Sequence, residues 1–258
     1  MGMQYFADPT PHIVLDQLVD PAVYRRAGFP DLPKRPGGRI GRDLYPGEAG
    51  YDELIQTSGW REVFAKFTSQ AFVSEVLGHF AADMRKNGCA VDPNAAYLDP
   101  YKESREETER SPLSTDYPSD ALFNRFDFQA TDATYGKGVH VDWPRRIVGG
   151  VLFFCSAEEE QMTGGTFALF EDEGFANDRV CHQPKLRKEF VAKHNTGVLF
   201  LNSNTGFHGP TRIKGITGLR KWIYYSISSR RDVWPFKITT VGKTGHFETK
   251  LKDDAAAA

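Results

Sequence analysis

Cysteine is scarce in this chain. Its 258 residues include three, Cys89, Cys155 and Cys181, an odd number spread widely. That count argues against a disulfide framework and fits a reducing compartment. Long apolar runs are also lacking, and no stretch approaches the roughly 20 residues needed to span a bilayer, so no membrane segment is expected. Neither sign of charge dominates: 32 Lys and Arg stand against 34 Asp and Glu, a formal net charge of −2. The electrostatic basis for nucleic-acid binding is therefore missing. The opening residues show no basic stretch followed by an apolar core, so no secretory signal is read there and a cytoplasmic location is expected. There is no internal repeat, and Cys181-His182 has no partner pair at zinc-finger spacing. The length is enough to bury a substantial core and suits a β-barrel-like fold as one unit.

Against these absences stands one constellation: His140-Val141-Asp142, then His208, then Arg220. Two imidazoles and one carboxylate can hold one face of a metal ion and leave the opposite positions open, which suits a non-haem Fe(II) oxygenase. A carboxylate co-substrate would need an arginine nearby. His140 and Asp142 sit at i and i+2, so an extended backbone sends both side chains to one face. Residues 147–154 form a near-continuous apolar run that reads as a buried strand. His208 follows a second such run at 198–202 and a turn-like Ser203-Asn204-Thr205-Gly206. Arg220 opens a third stretch, residues 220–227, rich in β-branched and aromatic residues.

Residues 123–227 resemble the Fe(II)/2-oxoglutarate-dependent oxygenases, in particular the compact prolyl-4-hydroxylase-like branch. The matching pieces are His140-Val141-Asp142, Gly164-Gly165-Thr166-Phe167-Ala168-Leu169-Phe170, Asn195-Thr196-Gly197-Val198-Leu199-Phe200, Phe207-His208 and Gly218-Leu219-Arg220, in the order found there. The opening segment 10–21 is similar to the first strand and turn of that branch. The resemblance implies a mainly β fold with flanking helices around a double-stranded β-helix, a cupin-like jelly roll with the metal in its mouth. It implies His140, Asp142 and His208 as ligands of Fe(II). Arg220 would bind the distal carboxylate of 2-oxoglutarate through a bidentate guanidinium. O2 is the second co-substrate implied, and succinate and CO2 the products that accompany oxidation of an unactivated C–H bond. A glycine or alanine in the triplet would leave room for halide; Asp142 points instead to hydroxylation or a related oxidation such as desaturation or ring closure. Some members carry a serine two residues after the arginine, and here Trp222 stands in that place. Tyr135, Asn124 and Thr211 are the candidates for a second 2-oxoglutarate anchor, and Arg212 and Lys214 are rivals to Arg220.

The expected organisation is one oxygenase domain over residues 1–240, with a C-terminal extension at 241–258. Within it, residues 1–90 supply an N-terminal strand, an irregular segment at 28–50 and two buttressing helices between 51 and 86; residues 120–235 form the β-helix core. The charged run 102–110 reads as a solvated loop, with a mobile lid as the sharper alternative, and 171–179 is a second lid candidate. His12, His79, His182, His194 and His246 are assigned structural roles, His79 as a partly buried helix residue. Trp143 is a candidate pocket wall. Arg145 and Arg146 read as a solvated basic turn, and with Lys137 and Tyr135 they are the first choices should the substrate carry an anionic group. The expected substrate is a small molecule such as an amino acid, a sugar derivative or a natural-product intermediate. The alternatives are a prolyl-type hydroxylase of protein or peptide side chains and, from another class, a non-catalytic jelly-roll binding module. The sequence carries no signal of oligomeric state.

Overall fold

The computed structural model describes residues 2–35, 41–104, 116–132, 137–173, 181 and 183–235. Within these residues, four helices precede most of the strands. α1 (Pro21–Ala27) starts where the Asp20 carboxylate accepts the Ala22 N–H and Pro21 fills the first turn. The sequence reading missed it because its seven residues carry little periodicity. Three helices, not two, occupy residues 51–86: α2 (Tyr51–Ile55), α3 (Trp60–Phe67) and α4 (Gln70–Lys86). Gly59 separates the first two. It has φ 88°, and a Cβ there would lie 2.3 Å from the backbone nitrogen of Ala27, so only glycine passes. Ser69 opens α4 by accepting the Phe72 N–H.

Among the described residues, eleven strands follow a mostly antiparallel plan. They are β1 (Met3–Phe6), β2 (His12–Leu15), β3 (Arg42–Leu44), β4 (Tyr97–Leu98), β5 (Ala121–Thr131), β6 (Arg146–Phe153), β7 (Phe167–Asp172), β8 (Pro184–Phe190), β9 (Thr196–Leu201), β10 (His208–Pro210) and β11 (Arg220–Ser229). The large sheet runs β1-β2-β9-β6-β11-β5-β3, with β4 added to β5, and the small sheet runs β10-β7-β8. An isolated antiparallel bridge between His140 and His208 extends the small sheet by the H-x-D segment. Facing β5-β11-β6-β9 with the His140 segment, β10, β7 and β8 gives the double-stranded β-helix expected from the sequence. Residues 28–50 are not wholly irregular: β3 lies within them and pairs antiparallel with the edge of β5, a pairing that only the tertiary fold supplies.

Alternation along the large sheet makes two faces. Phe126, Phe128, Ile223, Tyr225 and Ile227 turn to the helices and join Trp60, Phe67, Phe72, Val76 and Phe80 in one core. Each such side chain contributes about 1.5–3 kcal/mol by leaving water. Val151, Phe153, Val198, Phe200 and Trp222 turn inward and meet Phe167 and Leu169 of the small sheet. Gly149 makes this interior possible, since a Cβ there would fall 2.4 Å from the Phe200 ring. The ring instead lies across the glycine and reaches His208, with centroids 4.1 Å apart. The same inward face carries Arg125, Asp127, Gln129 and Thr131 from β5, in register with Ser226, Tyr224, Trp222 and Arg220 of β11. Among the described residues no helix is long and apolar enough to cross a membrane.

Candidate metal centre

His140 and Asp142 leave one face of an extended segment, as their spacing predicts. His208 begins β10 directly opposite. The backbones of the two histidines exchange both hydrogen bonds, His140 N–H to His208 O at 3.0 Å and the reverse at 2.9 Å. This puts their rings 4.5 Å apart between centroids. Each ring is turned by its own chain: Nδ1 of His140 lies 2.8 Å from Gly138 O and Nδ1 of His208 lies 3.0 Å from Gly206 O. Those contacts take the proton at Nδ1 and leave both Nε2 lone pairs aimed at Asp142. Nε2 of His140 stands 3.4 Å from Asp142 Oδ1, and Nε2 of His208 stands 3.8 Å from Oδ2. One donor atom from each of the three residues lies within 4.8 Å of the others.

The donor set fits a divalent metal. Ligands about 2.1 Å from an ion and at right angles to one another would be about 3.0 Å apart, so small side-chain movements close the site. His140 Nε2 is buried with no hydrogen-bond partner, a cost that a metal bond would remove. The electrostatics agree. Burial, then Lys137 and His208, holds the His140 imidazole well below its usual range, and burial first of all pushes His208 down to about 4. Both rings are therefore neutral near pH 7, the form that ligates. Burial alone would raise the Asp142 carboxyl, but Arg146, Lys137 and the two histidines together hold it well below the usual carboxylate range. Two imidazoles and one ionised carboxylate are the facial set of non-haem iron sites.

Other side chains hold Asp142. Arg146 Nη1 is 3.1 Å from Oδ1 and Lys137 Nζ is 3.8 Å away. The Tyr224 hydroxyl donates to Oδ2 at 2.7 Å. The Asp142 N–H donates to Asn202 Oδ1 at 2.8 Å, while Asn202 Nδ2 donates to the carbonyls of Trp143 and Arg146 at 3.0 Å each. Asn202 thus pins the turn that follows the H-x-D triplet. Neither Tyr224 nor Asn202 was singled out from sequence. The alternation Arg220, Trp222, Tyr224 was the available signal for the first.

Arg220 is buried on the inward face, two pleats along β11 from Tyr224. Its guanidinium stacks 4.4 Å from the Trp222 ring centroid and 5.7 Å from that of Phe153. Trp222, standing where a serine was considered, orients the arginine by a cation–π contact. The rivals Arg212 and Lys214 are exposed. Asn124 does not join the site: it faces the helices and donates to the Tyr225 hydroxyl at 2.8 Å. Thr211 is engaged by the Thr166 N–H and hydroxyl at 3.1 and 2.8 Å. Tyr135 lies outside the described residues, as do His182, His246, most of the charged run, residues 174–179 of the second lid candidate, and residues 236–258.

Arg145 and Arg146 do not form a solvated turn. Both are buried, and Arg145 Nη2 meets Glu103 Oε1 at 2.5 Å with neither side chain more than 1% exposed. Glu103, read as part of a solvated loop, also lies 4.0 Å from Arg125, which pairs with Asp127 at 2.5 Å. Burial, reinforced by Glu103 and opposed by Arg125, raises the Asp127 carboxyl to about 7. Trp143 is buried beside the triplet. His12 is buried and structural as expected, whereas His79 is exposed and stacks on Tyr5.

The sequence matches no known family profile and no curated protein. Its fold is similar to solved structures of iron- and 2-oxoglutarate-dependent enzymes. A 2OG-Fe(II) oxygenase family oxidoreductase from Burkholderia pseudomallei is 14% identical, with 88% of each chain covered and a TM-score of 0.44. The Fe(II)/α-ketoglutarate-dependent dioxygenase TqaL is 14% identical over 85% of this chain and 77% of its own, at 0.45. A prolyl-4-hydroxylase from Pseudomonas putida is 12% identical over 84% and 91%, at 0.39.

Proposed function

We propose that this protein is an Fe(II)- and 2-oxoglutarate-dependent dioxygenase that oxidises an unactivated C–H bond of a small molecule. The observation that carries the reading is the convergence of His140, Asp142 and His208 at one end of the inward face whose strand β11 also presents the buried, stacked Arg220. A zinc hydrolase would need the three ligands but would have no use for a guanidinium held inside the barrel.

The chain's own residues divide the work. His140, Asp142 and His208 would hold Fe(II) on one face. Arg220, kept in place by Trp222 and Phe153, would take the distal carboxylate of 2-oxoglutarate and so set its orientation toward the metal. The bound iron with 2-oxoglutarate and O2 would supply the oxidising power, with succinate and CO2 as co-products. Phe153, Val151, Phe200 and Trp222 keep the interior dry. Lys137 and Arg146 keep Asp142 ionised. The near-complete burial of the ligands favours a compact substrate over an extended peptide, the prolyl-type alternative.

The test is anaerobic visible absorption. Adding Fe(II) and then 2-oxoglutarate to the apoprotein should give a weak charge-transfer band that requires both and is lost in His140→Ala. A folded, iron-binding protein with no such band would remove 2-oxoglutarate from the reading and leave another mononuclear metal enzyme or a binding module.

A further inference from the structure

We propose that Tyr224 is a positioning residue for the metal centre, fixing the orientation of the Asp142 carboxylate. The proposal rests on the metal-site reading above and goes beyond it. Tyr224 sits on β11 opposite Val151 and Asp127, on the inward face, yet it keeps partial exposure where its neighbours are buried. Its ring is flanked by two guanidiniums, Arg125 at 5.0 Å and Arg146 at 5.2 Å. Its hydroxyl donates to Asp142 Oδ2, and Arg146 contacts Oδ1 at 3.1 Å.

A carboxylate offers about four lone-pair sites on its two oxygens. A neutral donor occupies one oxygen here and a charged donor the other, so the plane of the carboxylate is fixed from both sides. Arg146 alone would not suffice, because a guanidinium on one oxygen permits rotation about the contact.

The experiment is titration of metal-free protein with Co(II) alone, followed by visible absorption, for wild type, Tyr224→Phe and Tyr225→Phe. The Phe variant at 224 removes one oxygen and keeps both ring–guanidinium contacts. Its expected result is a metal affinity about tenfold weaker and an altered Co(II) band, at a thermal midpoint close to wild type. Tyr225→Phe removes a buried hydroxyl that donates to Phe67 O on the opposite face at 2.9 Å, and its Co(II) binding should match wild type. Should Tyr224→Phe fail to fold, replacement of Tyr224 by 4-aminophenylalanine, which keeps a donor at the same reach, decides: near-wild-type Co(II) binding supports the role and loss of affinity in the folded variant overturns it. Unchanged affinity and band in Tyr224→Phe overturns the proposal while the metal site stands. A wild-type protein that binds no Co(II) overturns both.

Discussion

Glu103 offers the most demanding test of the interior. Its Oε1 meets Arg145 at 2.5 Å and its Oε2 lies 4.0 Å from Arg125, with every side chain in the group 4% exposed or less. At the effective dielectric of such sites, about 20, two unit charges about 4 Å apart interact by about 4 kcal/mol. Glu103→Gln keeps the shape and removes the charge, leaving two buried guanidiniums with one fewer partner. Breaking a buried pair from one side costs about 3–5 kcal/mol. At roughly 2–4 °C per kcal/mol for a chain of this size, the melting point should fall by about 6–20 °C. The assay is urea and thermal unfolding of metal-free protein in chelator, so that ligand binding does not mask the difference. Glu103→Met combined with Arg145→Met should recover most of the loss, because apolar replacement of both partners removes the uncompensated charge. A cost below about 1 kcal/mol for Glu103→Gln would mean the group behaves as a solvated surface pair, and the account of a charge-locked segment would be wrong.

Further expectations follow from the same geometry. Arg220→Ala should leave Fe(II) binding intact and weaken 2-oxoglutarate by about 10- to 100-fold, the loss of a charge-assisted contact worth about 1.5–3 kcal/mol; titration of the charge-transfer band reads this, and equal affinity in the variant would exclude Arg220 as the anchor. Gly149→Ala should displace the Phe200 ring, destabilise by about 1–3 kcal/mol and weaken Co(II) binding through His208, both measurable on one sample. Asp127 gives a pH signature. Its folded carboxyl is raised to about 7 from an ordinary 3.8, so the folded state binds the proton more tightly and this group's contribution to stability falls as pH rises between about 4 and 7. The stability of wild type minus that of Asp127→Asn should therefore decline across that window and level off above it; a difference that is flat or rises would refute the assignment.

The sequence made some of this visible and hid the rest for physical reasons. The strands at 147–153 and 198–201 are legible because continuous burial writes continuous apolar runs, and β11 is legible from its β-branched and aromatic residues. The H-x-D triplet is legible because its i, i+2 spacing has one meaning on an extended chain. Asn124 was misplaced by position along the strand without regard to its face; counting from Arg125 and Asp127 puts it on the helix side. Glu103 was hidden in a charged run, since its burial is decided by Arg145 and Arg125, remote in sequence. Arg145 and Arg146 looked like a turn for the same reason. His79 lies among apolar helix residues but on the exposed stripe of α4, where periodicity alone, weighed residue by residue, would have placed it.

The mutual hydrogen bonds between His140 and His208 determine what holds the two ligand segments together. In small zinc domains the ion joins the chain and its loss unfolds the protein. Here ordinary strand pairing makes the join, and a hydrophobic ring, Phe200, backs it. An ion bound there would join a scaffold that strand pairing already holds together. On the reading proposed above, a mismatched metal would be exchanged for ferrous iron without a round of refolding, which would make the protein rechargeable in place.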